Sequence, residues 1–229
     1  MTGLPQLYLK ELREHRTLLG VTVGAIACLY GYVLVGVEGE ASTFMLASFP
    51  ISITTAALTF GLVSAFWSEW KGSTHYLLFS LPVSRVAIPV SKYLAVLTAG
   101  MIVYAMAVGS ILILDVPLEA STNILNQFQL DPKTLMIFFC TQAFAWLVLL
   151  LGVVVATVSL RYAVSRGRAI TITCFLILLF FGYWYFLPVF VSLLGEDIGY
   201  FMGQIAYTFL FGLLVTAFGF VLFEKRAEI

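Results

Sequence analysis

Long apolar runs alternate with short polar breaks along almost the whole chain. A membrane-crossing helix needs about 20 mostly apolar residues. Six runs meet that length, at about 18–37, 44–67, 86–114, 134–160, 169–187 and 200–223. Ahead of the first run, residues 4–19 read LPQLYLKELREHRTLL. At helical spacing Leu4, Leu7, Tyr8, Leu12, His15 and Leu19 share one face, while Lys10, Arg13 and Glu14 lie on the other. Lys10 and Glu14 are spaced for an i,i+4 pair. The pattern predicts an all-α integral membrane protein forming one transmembrane domain over 1–229: an amphipathic interfacial helix at 4–17, then six transmembrane helices. No small-residue cleavage pattern follows the first run, so it is expected to remain as a span.

Charge orients this layout. With the N-terminus inside, eleven of the twelve Lys and Arg residues fall in inner segments, and Lys133 alone falls outside. Seven of the twelve acids fall outside: Glu38, Glu40, Asp115, Glu119, Asp131, Glu196 and Asp197. Basic residues are retained on the cytoplasmic side, so both termini are expected in the cytoplasm and the chain in the cell membrane. Composition agrees, with 61% hydrophobic and 10% charged residues, against about 45–50% and 25% in soluble domains. The net charge of zero gives no reason to expect a nucleic-acid partner. Trp67 and Trp70 at the inner end of the second span, and Tyr183 to Phe186 in the fifth, read as interface anchors.

The spans carry little chemistry. Their deep polar groups are Ser, Thr, Gln142 and aromatic hydroxyls, and Lys92, two turns inside the third span, is expected to snorkel to the headgroups. Cys28, Cys140 and Cys174 are scattered singly, His15 and His75 stand alone, and neither a GxxxxGK[ST] loop nor an HExxH motif is present. No catalytic constellation, metal site or nucleotide site is expected. If the chain moves something uphill, another subunit must supply the energy.

The break between the second and third runs is elaborate. Residues 69–85 read EWKGSTHYLLFSLPVSR. Gly72 ends one helix, Ser73 or Thr74 can cap the next, and Pro82 stops it at Leu81. A short helix over about 73–81 would project Leu77, Leu78 and Leu81 to one side, and Ser84 could cap the third span. Glu69 and Arg85 bracket the loop. So short a helix needs a surface to pack on.

Glu69-x-Lys71-Gly72-Ser73, then Leu77-Leu78-x-Ser80-Leu81-Pro82-Val83-Ser84-Arg85 with Lys92 beyond, resembles the permease subunits of type-2 ABC transporters. The six-span layout resembles them too. The resemblance implies that the loop is a coupling helix inserted into a cytosolic ATPase, with Glu69, Ser73, Leu77, Leu78, Leu81, Pro82 and Arg85 as coupling residues. It further implies that residues 4–17 form the connecting helix beside that ATPase, that ATP and Mg belong to the partner rather than to this chain, and that the permease pairs with a second copy or a related chain. The implied function is a permease of an exporter, itself no enzyme. The alternative is a membrane scaffold or immunity-type protein that transports nothing. In larger members of the family an extended element precedes the last span; here only 188–199 is available for one.

Two stripes complete the reading. Ser48, Ser52, Thr55 and Thr59 share a face of the second span, either as helix packing with hydroxyls bonded to i−4 carbonyls or as a mildly polar wall of a translocation path. Gly20, Gly24 and Gly31 make a small-residue face on the first span, suited to close helix packing within the monomer or between subunits.

Overall fold

The computed structural model describes residues 4–36, 40–71, 84, 86–113, 132–164, 167–193 and 200–226. Six helices make up these residues: α1 (Leu4–Gly36), α2 (Glu40–Lys71), α3 (Ala87–Ile113), α4 (Pro132–Ala163), α5 (Arg168–Leu193) and α6 (Tyr200–Arg226). α2 through α6 each hold a stretch long and apolar enough to cross a membrane. The molecule is thus an all-helical protein with the make-up of a multi-pass membrane protein. The predicted 4–17 segment and the predicted 18–37 span, as far as Gly36, form one uninterrupted helix, α1, which is not among those five.

Local sequence explains the helix ends. Pro5, Pro89 and Pro132 each sit in a first turn, where the missing N–H costs nothing. Between α4 and α5 the chain turns through Gly167, whose φ of 72° favours glycine. The Arg168 Nε–H donates to the Val164 carbonyl at 2.7 Å and fastens that turn.

α5 departs from expectation by running through Pro188 to Leu193 instead of ending at 187. Proline cannot bond the carbonyl four residues back, that of Trp184. At the neighbouring carbonyl, that of Tyr183, the Tyr207 hydroxyl of α6 donates from 3.0 Å. The segment left between α5 and α6 for a re-entrant element is therefore 194–199, outside the described residues.

α4 is the centre of the bundle. It packs most extensively on α6, and also on α2, α3 and α5. α1 lies against α3 and α2. The α4–α6 crossing is backbone against backbone. A Cβ on Gly212 would fall 2.8 Å from the Leu149 nitrogen, and one on Gly219 2.9 Å from the Ala156 nitrogen. On the opposing helix, a Cβ on Gly152 would meet the Gly212 carbonyl at 2.8 Å. Beside this seam Leu58, Leu62, Tyr93, Leu147, Leu151 and Val155 form the main apolar core of α2, α3 and α4. A smaller cluster of Leu149, Tyr183, Leu187 and Tyr207 holds α5. Tyr183, expected at the membrane interface, is thus a core residue; Trp184, Tyr185 and Phe186 beside it are exposed.

Gly212→Ala is expected to destabilise the protein by about 1–3 kcal/mol through overpacking, read as a lower thermal midpoint in detergent. Gly182→Ala, where a Cβ meets nothing within 4 Å, should not lower it. An equal loss at both positions would remove the crossing as the cause.

Candidate functional site at the start of α3

In chain order the segment between Lys71 and Ala87 joins α2 to α3, and that between Ala163 and Arg168 joins α4 to α5. α2 delivers the chain to Lys71, and α3 takes it up again at Ala87, whose N–H donates to the Ser84 carbonyl at 2.9 Å. Ser73, Leu77, Leu78, Leu81, Pro82 and Arg85 lie outside the described residues, and with them the predicted 73–81 helix. Glu69 falls in the last turn of α2; its side chain is outside the description.

The Lys92 ammonium donates to Glu11 Oε1 at 2.9 Å, and both side chains are almost wholly buried, at 2% and 3% exposure. Its ammonium also lies 5.8 Å from the centroid of the Phe66 ring on α2. Lys92 therefore does not snorkel: a buried acid one helix away holds it more closely than distant headgroups would. Glu11 Oε2 is buried without a hydrogen bond. Between the same two helices, the Thr98 hydroxyl donates to the Leu94 carbonyl at 2.8 Å, so it accepts from the Tyr8 hydroxyl at 3.0 Å. The N-terminal part of α1 is thus fixed to α3 by an ion pair and a hydrogen bond. Lys10 and Glu14 form the expected i,i+4 pair on the exposed face, at 3.5 Å.

The two-faced pattern of residues 4–19 sets Glu14 on the polar side and leaves Glu11 unassigned. The signal was present: Glu11 stands three residues after Tyr8 and four before His15, on the apolar face. An acid on that face, together with a lysine in an otherwise uncharged span, could have suggested a pair.

The hydroxyl stripe of α2 divides. Thr55 is buried, donates to the Ile51 carbonyl at 2.9 Å and accepts from the Tyr104 hydroxyl of α3. Thr59 donates to the Thr55 carbonyl at 2.8 Å. These bonds are those of helix packing. Ser52 is exposed, and the side chain of Ser48 is outside the description. On the small-residue face of α1, a Cβ on Gly20, Gly24 or Gly31 would meet no atom of the described residues within 4 Å.

Among the described residues no group of three His, Cys, Asp or Glu side chains is placed to hold a metal ion. Comparison of the chain with protein-family models, with curated proteins and with solved structures gives no match.

Lys92→Met leaves the Glu11 carboxylate buried and unpaired, so it should cost about 3–5 kcal/mol of stability. Glu11→Leu combined with Lys92→Met removes both charges and should recover most of that loss. Thermal unfolding of the single and double variants in detergent checks this. A double variant no more stable than Lys92→Met would rule out the pair as the cause.

Proposed function

We propose that the chain is the membrane-spanning permease subunit of a type-2 ABC exporter, driven by a separate cytosolic ATPase that binds residues 69–85. The observation that carries this reading is the sequence of that segment, placed between the end of α2 and the start of α3. The Glu11–Lys92 and Tyr8–Thr98 contacts support it. They give the N-terminal segment and the start of α3 a mechanical connection, as expected of two elements that face one ATPase. In this mechanism ATP and Mg act on the partner. The partner's movement displaces the short helix at 73–81, and α3 and α1 shift with it as one body. A second permease, identical or related, completes the path. Gly20, Gly24 and Gly31 offer α1 as a surface for that contact, and Ser52 remains a candidate for the path.

Leu77→Ser together with Leu78→Ser should weaken ATPase binding or substrate-stimulated hydrolysis tenfold or more, since each buried Leu contributes about 1.5–3 kcal/mol. Co-purification of the ATPase at matched membrane expression measures it. Wild-type binding and hydrolysis would discard the coupling role and favour the scaffold reading.

The reading also requires six crossings with both termini in the cytoplasm. Single cysteines at Glu119 and Glu196 should react with an impermeant thiol reagent from outside the cell, and those at Ser73 and Gly167 only after the membrane is opened. Reaction of Gly167→Cys from outside would refute this topology.

A further inference from the structure

The exposed side of the first half of α1 carries positive charge that no acid of the segment matches. Leu9, Arg13 and Arg16 follow one another at intervals of four and three residues, so they share one side of the helix. All three are exposed, Leu9 at 62%. That side faces away from Glu11, which α1 buries. Among the described residues, the ion pairs of this segment are Lys10–Glu14 and Glu11–Lys92. Both of its acids are therefore committed to lysines, and Arg13 and Arg16 remain as two unmatched cations.

Contacts with α3 set the level of these arginines. Before them along α1, Tyr8 and Glu11 meet Thr98 and Lys92. After them, Val23 packs against Val103. The part of α3 between these contacts lies wholly within Ala87–Gly109, a stretch long and apolar enough to cross a membrane. Arg13 and Arg16 thus stand alongside a span rather than beyond its end. A guanidinium facing lipid there is costly, and its long stem lets it reach the nearest phosphates.

The source of the counter-charge follows from that level. A soluble partner reaches the bundle only beyond the ends of its spans. The α1 of a second copy, meeting this one symmetrically, would bring the same two arginines and not an acid. Lipid phosphate satisfies both the charge and the level. A zwitterionic headgroup brings its own ammonium beside the phosphate, whereas an anionic headgroup leaves net negative charge for two guanidinium groups. Beyond Arg16 the exposed surface continues through Thr17 and Val21, which offers an acyl chain a path along the helix.

We propose that this side of α1 binds an anionic phospholipid, its phosphate held by Arg13 and Arg16 and an acyl chain lying past Thr17 and Val21. The site is independent of the transport reading, because it requires only that the bundle lie in a membrane.

Val21, at 68% exposure, can take a reporter. The full chain carrying Val21→Trp is titrated in detergent with phosphatidylglycerol or phosphatidylcholine bearing brominated acyl chains. The reporter signal is the difference from the chain that keeps Val21. Phosphatidylglycerol is expected to quench it at about 25-fold lower concentration, since each basic residue near an anionic headgroup contributes about fivefold. Arg13→Gln and Arg16→Gln should each reduce the preference about fivefold, and the two together should abolish it. Arg168→Gln, which removes an exposed arginine from another turn, should leave it unchanged. Equal quenching by the two lipids in the reporter chain would overturn the proposal. So would an Arg168→Gln effect as large as that of either α1 variant, which would mean diffuse surface charge. No lipid preference, together with loss of ATPase co-purification when both α1 arginines are replaced, would overturn it in favour of a protein partner. If the double variant does not fold, a preference unchanged in both single variants overturns it equally.

Discussion

The contact of α4 with α6 through bare backbone is the constraint on which the bundle depends. In lipid, apolar side chains gain little by leaving one hydrocarbon environment for another, so helices associate through close packing and hydrogen bonds. Gly212 and Gly219 bring α6 against the backbone of α4 at Leu149 and Ala156. α4 is then free on its other sides to receive α2, α3 and α5. α5 is the opposite case. Of its side chains Tyr183 and Leu187 are fully buried, Phe175, Phe190 and Val191 pack partly buried beside the bundle, and most of its surface is exposed.

A second rule governs the polar side chains. Thr55, Thr98 and Thr208 each donate to the carbonyl four residues back and each accept from a tyrosine on a neighbouring helix: Tyr104, Tyr8 and Tyr183 respectively. The first bond satisfies the hydroxyl hydrogen where no water is available, and the second converts the remaining lone pairs into a helix–helix tie. Thr208 also faces Gln142 Nε2 of α4 at 3.5 Å. The three pairs join α2 to α3, α1 to α3 and α5 to α6, so interfaces without glycine seams are held by hydroxyls instead.

Helix positions were legible in the sequence because apolar length is a strong signal, and α3 and α6 fall within about three residues of their expected limits. Two features were harder to read. The continuity of α1 was obscured by the change from a one-sided to an all-round apolar pattern near residue 18, which alters burial but does not break a helix. α5 continues through Pro188, where proline is read as a stop when no tertiary contact can be seen. At the candidate site, Thr55 and Thr59 behave as the i−4 bonding pattern indicates, but the partner of Thr55, Tyr104, is 49 residues away. Lys92 and Glu11 are 81 residues apart. Spacing along one helix ranks the residues on its own face and says nothing of which face another helix presents.

That long-range pair carries a consequence for how force could pass through the molecule. A buried ion pair adds little net stability over an apolar pair of the same size, because desolvation offsets most of the attraction. It is nonetheless strict about geometry, since separating the partners would strand a charge away from water. Lys92 lies in the second turn of α3, close to the point where residues 69–85 enter it. Phe66, which packs beside the ammonium, lies near the point where the same segment leaves α2. Both attachments of the segment therefore meet at one buried charge, and Glu11 brings α1 to the same point. Under the proposed function, displacement of the segment would be resisted by the penalty for opening this pair. The three helices would then move together rather than shear past one another.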